Sequence, residues 1–220
     1  YGKGEMGLDP NSQSPTVRLP SSTIPLNIYS NADNIISFQS TETKELQETV
    51  TFNRIISTLG NLKFVFPPQT QAMEAKSITL YSLNTLQTDS GNDVINTTTS
   101  TLNLRDGSMS TISHLTVKEK IEASIAAQLT VNHKAVFISE SSITMSASAF
   151  IELGSSDVEG VVKELRLAIE SKSTLLESSN EVTLVCGQKF DCDSWLDKFV
   201  GNDNYPQAKC STIHNEKCLV

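Results

Sequence analysis

The chain has 220 residues, a formal charge of -8 and a pI near 4.9, and these values limit its size and its partners. A chain of this length can bury a core as one large domain or two small ones. Hydrophobic residues make up 38% and aromatic residues 6%, which favours many short strands with polar outer faces. The acidic balance offers no basic patch for a phosphate backbone, so nucleic acid is not an expected partner. No run of eighteen apolar residues occurs, so no membrane span is expected.

Residues 1–26 are predicted to form an extended N-terminal arm or linker. The chain begins Tyr1-Gly2-Lys3, without a Met or an apolar signal stretch, which indicates a processed protein or a fragment. The segment is rich in the two residues that interrupt sheets: Gly2, Gly4, Gly7, Pro10, Pro15, Pro20 and Pro25. Such an arm is able to add a strand to a neighbouring subunit, although most chain termini only fray.

From residue 50 onwards a triplet of apolar, polar and apolar residues recurs, which is the alternation of a half-buried strand. Its nine occurrences are Val50-Thr51-Phe52, Leu62-Lys63-Phe64, Ile78-Thr79-Leu80, Leu102-Asn103-Leu104, Leu115-Thr116-Val117, Leu129-Thr130-Val131, Ile143-Thr144-Met145, Leu165-Arg166-Leu167 and Val182-Thr183-Leu184. Further strand-like runs fall between them at residues 121–125, 135–138 and 149–153. The chain is therefore expected to change direction about every seven residues.

This recurrence predicts an all-β fold in which residues 27–185 form a parallel β-solenoid, because stacked coils place equivalent apolar residues in one interior. Two coils fit the spacing: a flattened, two-sided coil of about fourteen residues and a three-sided coil of about twenty-one. The steps of about fourteen residues between Leu115, Leu129 and Ile143 favour the shorter coil. The polar stretch 88–93 is expected to be a corner loop without strand structure, and residues 154–157 a second corner.

The alternative fold is a β-sandwich, which also contains many short alternating strands joined by turns. One dipeptide, Asp106-Gly107, has the composition of a hairpin turn and supports this alternative. Residues 158–169 fit both a helical face and a strand alternation, and we interpret them as a strand.

Residues 186–220 are predicted to form a small, disulfide-bonded C-terminal cap. Its four cysteines, Cys186, Cys192, Cys210 and Cys218, are six, eighteen and eight residues apart, unlike the tight pairs of a zinc site. Disulfides indicate an oxidising compartment, so a secreted or cell-surface location is expected, and three pairings remain open.

A short helix is predicted within this cap. It begins at Asp193 or Ser194 and runs towards Gly201. It offers an apolar surface made of Trp195, Leu196, Phe199 and Val200. Such a surface would cover the end of the solenoid core.

The residues that could support chemistry do not form a catalytic pattern, and we expect no catalytic residue, cofactor or metal site. His114 and His133 fall at presumed corners and are expected to face solvent, while His214 lies apart in the cap. Asp191 and Asp193 resemble a capped turn more than a site. Asn96, in the sequon Asn96-Thr97-Thr98, is predicted to be glycosylated on an exposed loop.

These observations predict an extracellular structural or adhesive protein that is not an enzyme, such as a subunit of a surface fibre or matrix assembly. Its expected partners are copies of itself, bound through the N-terminal arm and the solenoid ends. The alternative is a β-helix protein that binds or cleaves polysaccharides, with glycans as partners.

Overall fold

The computed structural model describes residues 16–18, 26–31, 34–39, 49–58, 60–67, 70–81, 86–90, 93–146, 148–168, 182–203 and 205–220. Of the described residues, five are in a helix and most of the others are in strands. The strands form a parallel β-solenoid of about five turns, closed near the C-terminus by two disulfides. The predicted fold class is confirmed, and the β-sandwich is excluded because neighbouring strands of the coils are parallel.

The elements in chain order are β1 (Thr16–Arg18), β2 (Leu26–Ser30), β3 (Asn34–Gln39), β4 (Thr49–Ser57), β5 (Leu62–Phe66), β6 (Ala72–Leu80), β7 (Leu86–Ser90), β8 (Asp93–Val94), β9 (Asn96–Leu104), β10 (Met109–Ala123), β11 (Gln128–Phe137), β12 (Ser142–Met145), β13 (Phe150–Glu152), β14 (Asp157–Glu159), β15 (Glu164–Leu167), β16 (Val185–Gly187), α1 (Cys192–Leu196), β17 (Phe199–Val200), β18 (Cys210–Ile213) and β19 (Glu216–Leu219). Several strands are long because they continue around a corner from one side of the coil to the next.

Each coil has three sides, which we call faces A, B and C in the order in which the chain passes through them. Face A is formed by residues 49–52, 72–75, 96–99, 114–117, 134–137 and 157–159. Face B is formed by residues 54–57, 77–80, 101–104, 120–123, 142–145 and 164–167, flanked by β2 and β17. Face C is formed by residues 109–112, 128–131, 150–152 and 185–187. In the N-terminal coils its place is taken by a separate five-stranded sheet, in the order β1-β3-β5-β7-β8.

The register fixes the coil length at about 21 residues. On face B, Leu102 pairs with Ile121, Ile121 with Ile143, and Ile143 with Leu165, which are steps of 19, 22 and 22 residues. The three-sided coil is therefore correct, and the fourteen-residue, two-sided coil is wrong.

The triplets at Leu115, Leu129 and Ile143 explain the error. They lie on faces A, C and B, so they are not stacked on one another. All three side chains are nevertheless buried in one continuous core. Fourteen residues are two thirds of a coil, so each step of fourteen moves the triplet on by two faces.

Burial within the triplets follows the predicted alternation. In eight of the nine triplets the first and third residues are buried and the middle residue is not. The exception is the ninth: Val182 and Thr183 are only partly buried, and the strand begins after Leu184, at Val185. In the face A segment 96–99 the inward positions are polar, because Thr97 and Thr99 fill them. The Thr99 hydroxyl donates a hydrogen bond to the Thr101 carbonyl at 2.9 Å, which satisfies that buried group.

The corners differ from the predictions in two places. Residues 88–90 belong to β7, so they are not a loop without strand structure. Asp106 and Gly107 do form a turn, in which the Ser108 amide donates to the Arg105 carbonyl at 2.9 Å. This turn joins faces B and C of one coil, and no hairpin results because β9 and β10 are parallel. Residues 164–167 are a strand as predicted, after a corner at Gly160.

The predicted N-terminal arm lies largely outside the described residues. Within residues 1–26, the structure describes Thr16–Arg18 and Leu26. Thr16–Arg18 is a strand that pairs in parallel with Ser37–Gln39, at the edge of the five-stranded sheet.

The cap changes the direction of the chain. Val185–Gly187 pairs in parallel with β13 on one side and antiparallel with β19 on the other, and β18 completes an antiparallel hairpin. Disulfides join Cys186 to Cys218 and Cys192 to Cys210, which selects one of the three possible pairings.

The helix of the cap is shorter than predicted and begins earlier. Asp191, rather than Asp193 or Ser194, is its N-cap, and its carboxylate accepts a hydrogen bond from the Ser194 hydroxyl at 2.6 Å. The helix ends at Leu196, and Phe199–Val200 extends face B as β17. Trp195 is 1% exposed and packs between Phe137 and Phe190, so it closes the core as predicted for this segment.

Candidate functional site

A polar concave surface lies at the corner where the chain passes from face C to face A. Here the pairing of β10 with β11 shifts: Ile112 pairs with Val131, but His114 pairs with Lys134. Two residues, Asn132 and His133, therefore oppose the single residue Ser113. Such an extra residue bends a strand outwards, and both Asn132 and His133 are exposed.

Side chains from four successive coils line this surface, which we call the corner cleft. It has a volume of about 480 Å³ and is open to solvent. Its lining residues are His114, Asn132, His133, Lys134, Ser155, Asp157 and Lys189. The parallel stacking of coils explains why residues so distant in sequence are neighbours, because each corner lies directly beside the corners of adjacent coils.

The two histidines of the corner cleft face each other. Their ring centroids are 5.7 Å apart and the rings are nearly perpendicular, at 83°. His114 is partly buried, and this burial lowers its pKa, with further lowering by His133 and by Lys134. The His114 imidazole is therefore neutral at pH 7. The expectation that His114 faces solvent is only partly right, whereas His133 is exposed.

The two lysines of the corner cleft are held by carboxylates. Lys189 Nζ lies 2.5 Å from Asp157 Oδ1, and this hydrogen bond lowers the pKa of the Asp157 carboxyl. Lys134 Nζ lies 2.7 Å from Glu159 Oε1, at the edge of the cleft. All four side chains are well exposed, so each pair is weak and exchanges readily with a competing anion.

Two carboxyl groups, those of Glu152 and Glu216, lie close together on the outside of face C, beside the cap. Burial raises the pKa of the Glu152 carboxyl, and so do the charge of Glu216 and the hydrogen bond with it. The Gly154 amide opposes these effects by donating to Glu152 Oε1 at 3.0 Å. This pair brings two carboxyl groups together where the last coil meets the cap hairpin.

An apolar cavity of about 230 Å³ lies between the end of face B and the cap hairpin, with Leu167, Leu184, Phe199 and Tyr205 in its wall. Its wall also includes Val182, which follows residues 169–181, and these lie outside the described residues. Because the cavity adjoins that segment, we assign it no function.

The predicted glycosylation residue lies in a strand and not in a loop. Asn96 is the first residue of β9 and is partly buried. Its Oδ1 accepts a hydrogen bond from the Thr116 hydroxyl at 3.2 Å, and its Nδ2 donates to Thr98 Oγ1 at 3.4 Å. The loop assignment is thus wrong because the run Asn96–Leu104 continues face A into face B, and glycosylation at Asn96 stays a prediction.

The remaining predicted residues do not contribute to the corner cleft. His214 is exposed in the turn between β18 and β19. Asp191 caps α1 and Asp193 lies in the first turn of that helix. This agrees with the prediction that the two residues form a capped turn and not a site. Across the described part of the chain, no three His, Cys, Asp or Glu side chains group in a way that could hold a metal ion.

Local sequence patterns place both histidines at corners, but they do not show that the two rings are in contact. With a coil of fourteen residues, His114 and His133 would lie on different corners, and only the longer coil brings them together. Lys189 was not predicted to lie near these residues. The step on face C from Ile151 to Val185 is 34 residues, which is longer than one coil, so the repeat could not be counted across residues 169–181. The signal that was available is the recurrence of polar residues at 113–114, 132–134 and 155–157, at spacings close to one coil.

Comparison with models of protein families, with curated proteins and with solved structures finds no match for this chain. Among the described residues, no helix is long and apolar enough to cross a membrane.

Proposed function

We propose that this chain is a structural or adhesive module of an extracellular or cell-surface assembly. The observation that carries the proposal is a single apolar core that runs from Ile28 through every coil to Leu219 and ends in two disulfides. Stacked coils of this kind resist bending because each coil is bonded to its neighbours along three faces. Disulfides persist in oxidising compartments, which is compatible with a location outside the cell.

The outer surface suits a module that works in solution without aggregating. On face B the outward column begins with Tyr29 and Ile56 and is polar from the next coil onwards, where it contains Thr79, Asn103, Glu122, Thr144 and Arg166. Neighbours in this column bond across coils, since Asn103 Nδ2 donates to Thr79 Oγ1 at 3.2 Å. Polar, charged side chains on a sheet face discourage unwanted contacts between sheets. The proposed self-association therefore uses the N-terminal arm and the solenoid ends, and not this face.

Assembly is tested with the full chain in its oxidised form. Sedimentation velocity over a wide concentration range and electron micrographs of the same samples would measure the size and shape of the particles. Ordered oligomers or filaments support a fibre subunit, and a variant that lacks residues 1–15 is the matched control for the arm. Monomers at every concentration would rule out a self-assembling fibre.

Location is tested separately, on protein isolated from its source. A non-reducing peptide map should show Cys186 bonded to Cys218 and Cys192 bonded to Cys210, and antibodies should label intact cells or the medium. Free thiols in the isolated protein would contradict an extracellular module.

A second function, the binding of glycans, is favoured by the corner cleft. The cleft is a groove with hydrogen-bond donors and charges on a rigid lateral edge, as a binding site for an extended polar polymer requires. Binding of the purified chain to an array of glycans tests this function, and a reducing-sugar assay on the same polymers distinguishes binding from cleavage.

A further inference from the structure

The corner cleft is a local concentration of positive groups on an acidic chain. The chain carries a net charge of -8, yet the lining of the cleft has two lysines against one aspartate, besides two histidines. Lys134 is also paired with Glu159 at the edge of the cleft, so the two lysines are balanced by two carboxylates while the imidazoles are neutral. Protonation of His114 then leaves this corner with a net positive charge. Such a local reversal of sign attracts anions to this corner.

The positive groups follow the axis of the solenoid. They come from the corners after residue 112, after residue 131 and after β16, and the corner after β13, which lies between the last two, contributes Ser155 and Asp157 instead. These corners belong to four successive coils. Neighbouring parallel strands are about 4.8 Å apart, so this row is about 15 Å long. A linear ligand that lies along the corner would meet a new set of side chains at each coil.

The cleft also has the neutral donors that bind an oxyanion or a hydroxyl. The Asn132 amide and the Ser155 hydroxyl also line the cleft, and both residues are exposed. Lys134 and Lys189 are already extended towards carboxylates at 2.7 Å and 2.5 Å. Because those ion pairs are exposed, an incoming anion can replace Glu159 or Asp157 at little cost.

We propose that the corner cleft binds the sulfate or carboxylate groups of a linear acidic polysaccharide. This inference rests on the glycan-binding function proposed above and is independent of self-assembly. A polysaccharide with separated single charges fits a narrow row of cations, whereas a densely charged duplex or a flat anionic bilayer would be repelled by the rest of the acidic surface.

Binding is expected to strengthen at acidic pH. The charged and titratable groups that face His114 are His133 and Lys134 on β11, Asp157 on β14 and Lys189 beyond β16. A bound anion favours the protonated form of His114, so affinity rises as the pH falls through the lowered pKa of this imidazole.

The experiment uses the full oxidised chain and isothermal titration with four probes: dextran sulfate, polygalacturonate, neutral dextran and inorganic sulfate. The test variants are Lys189→Gln and His133→Gln, both at exposed positions. The matched control is Lys163→Gln, whose lysine is paired with Glu140 at 3.6 Å on another corner. We expect one of the two acidic polymers to bind, competed by inorganic sulfate, with affinity lowered about fivefold or more in each test variant and unchanged in Lys163→Gln.

The results separate the sources and the rival explanations. Preference for dextran sulfate or for polygalacturonate identifies the anionic group. Binding of neutral dextran as tightly as the acidic polymers would overturn this inference while leaving glycan binding intact. Failure of all four probes, an equal loss in Lys163→Gln, or equally tight binding of duplex DNA or phosphatidylserine vesicles would also overturn it.

Discussion

Phe137 and Trp195 meet edge to face, with their ring centroids 4.8 Å apart, where the solenoid joins its cap. Phe137 points inward from face A, and Trp195 projects from α1 across the end of the core. Phe190 packs on Trp195 as well, at 5.2 Å. The interior of the coils therefore ends against an aromatic cluster instead of water.

Replacing Trp195 by Ala should destabilise the chain by about 3–5 kcal/mol, because it opens a cavity at the end of the core. Urea unfolding followed by circular dichroism measures the change in the midpoint. The control is Ile125→Ala, because Ile125 is 61% exposed and its loss should cost less than about 0.5 kcal/mol. Equal effects of the two substitutions would show that the cap does not seal the core.

Gly160→Ala should be strongly destabilising. Gly160 has a φ of +79°, and a Cβ there would lie 2.1 Å from the Phe137 carbonyl oxygen, which belongs to the backbone. The corner would have to move away from face A, at a cost well above about 1 kcal/mol.

Gly107→Ala, at a different corner, is the matched control for Gly160→Ala. Gly107 has a similar φ of +68°, but a Cβ there meets nothing within 4 Å. This substitution should cost only about 1 kcal/mol, the price of a left-handed backbone for alanine. Equal thermal shifts for the two variants would contradict a steric role for the Phe137 carbonyl.

Removing Cys192 and Cys210 together by Ala substitution should loosen the cap and leave the coils intact. The bond closes a loop with a sequence separation of 18, so its loss should cost about 3 kcal/mol. Because each coil depends mainly on its neighbours, hydrogen exchange should accelerate in residues 182–220 and stay slow in residues 101–131. Uniform acceleration over both regions would indicate a single cooperative unit.

The Glu152 and Glu216 pair should make the cap less stable at neutral pH than at acidic pH. The pKa of Glu152 is raised in the folded state, so its contribution to stability is complete below the unfolded pKa of about 4.3 and is lost as the pH rises through the folded pKa. Glu216→Gln should therefore raise stability at pH 7 by a few tenths of a kcal/mol, up to about 1, and leave it unchanged near pH 3.

The control for this pair is Glu119→Gln, which removes an exposed carboxylate on the same acidic chain. A gain of equal size in both variants would assign the effect to net charge. Chemical unfolding at a series of pH values, with the midpoint as the readout, distinguishes the two.

The local alternation of the strands was readable from the sequence, but the number of sides of the coil was not. Leu115, Leu129 and Ile143 have the same triplet chemistry on three different faces, and nothing in a triplet records which face it occupies. Thr97 and Thr99 broke the apolar pattern, so the strand on face A that would have revealed the longer period was not recognised.

The corner cleft required information that local patterns do not contain. Its shape depends on the register shift between Ile112 and His114, which places His133 beside His114. Its far end depends on Lys189, which contacts Asp157 across a sequence separation of 32 residues. Long-range register of this kind is a property of the stacked coils, not of any one segment.

Pulling on the chain from its N-terminal side would unravel the coils one at a time, because each coil is fastened chiefly to the next. A peeled coil of about 21 residues would lengthen the molecule by up to about 70 Å. Unravelling would stop at Cys186, since its bond to Cys218 closes the remaining loop, with a sequence separation of 32, covalently. The cap therefore acts as a mechanical anchor that limits how far the module can extend.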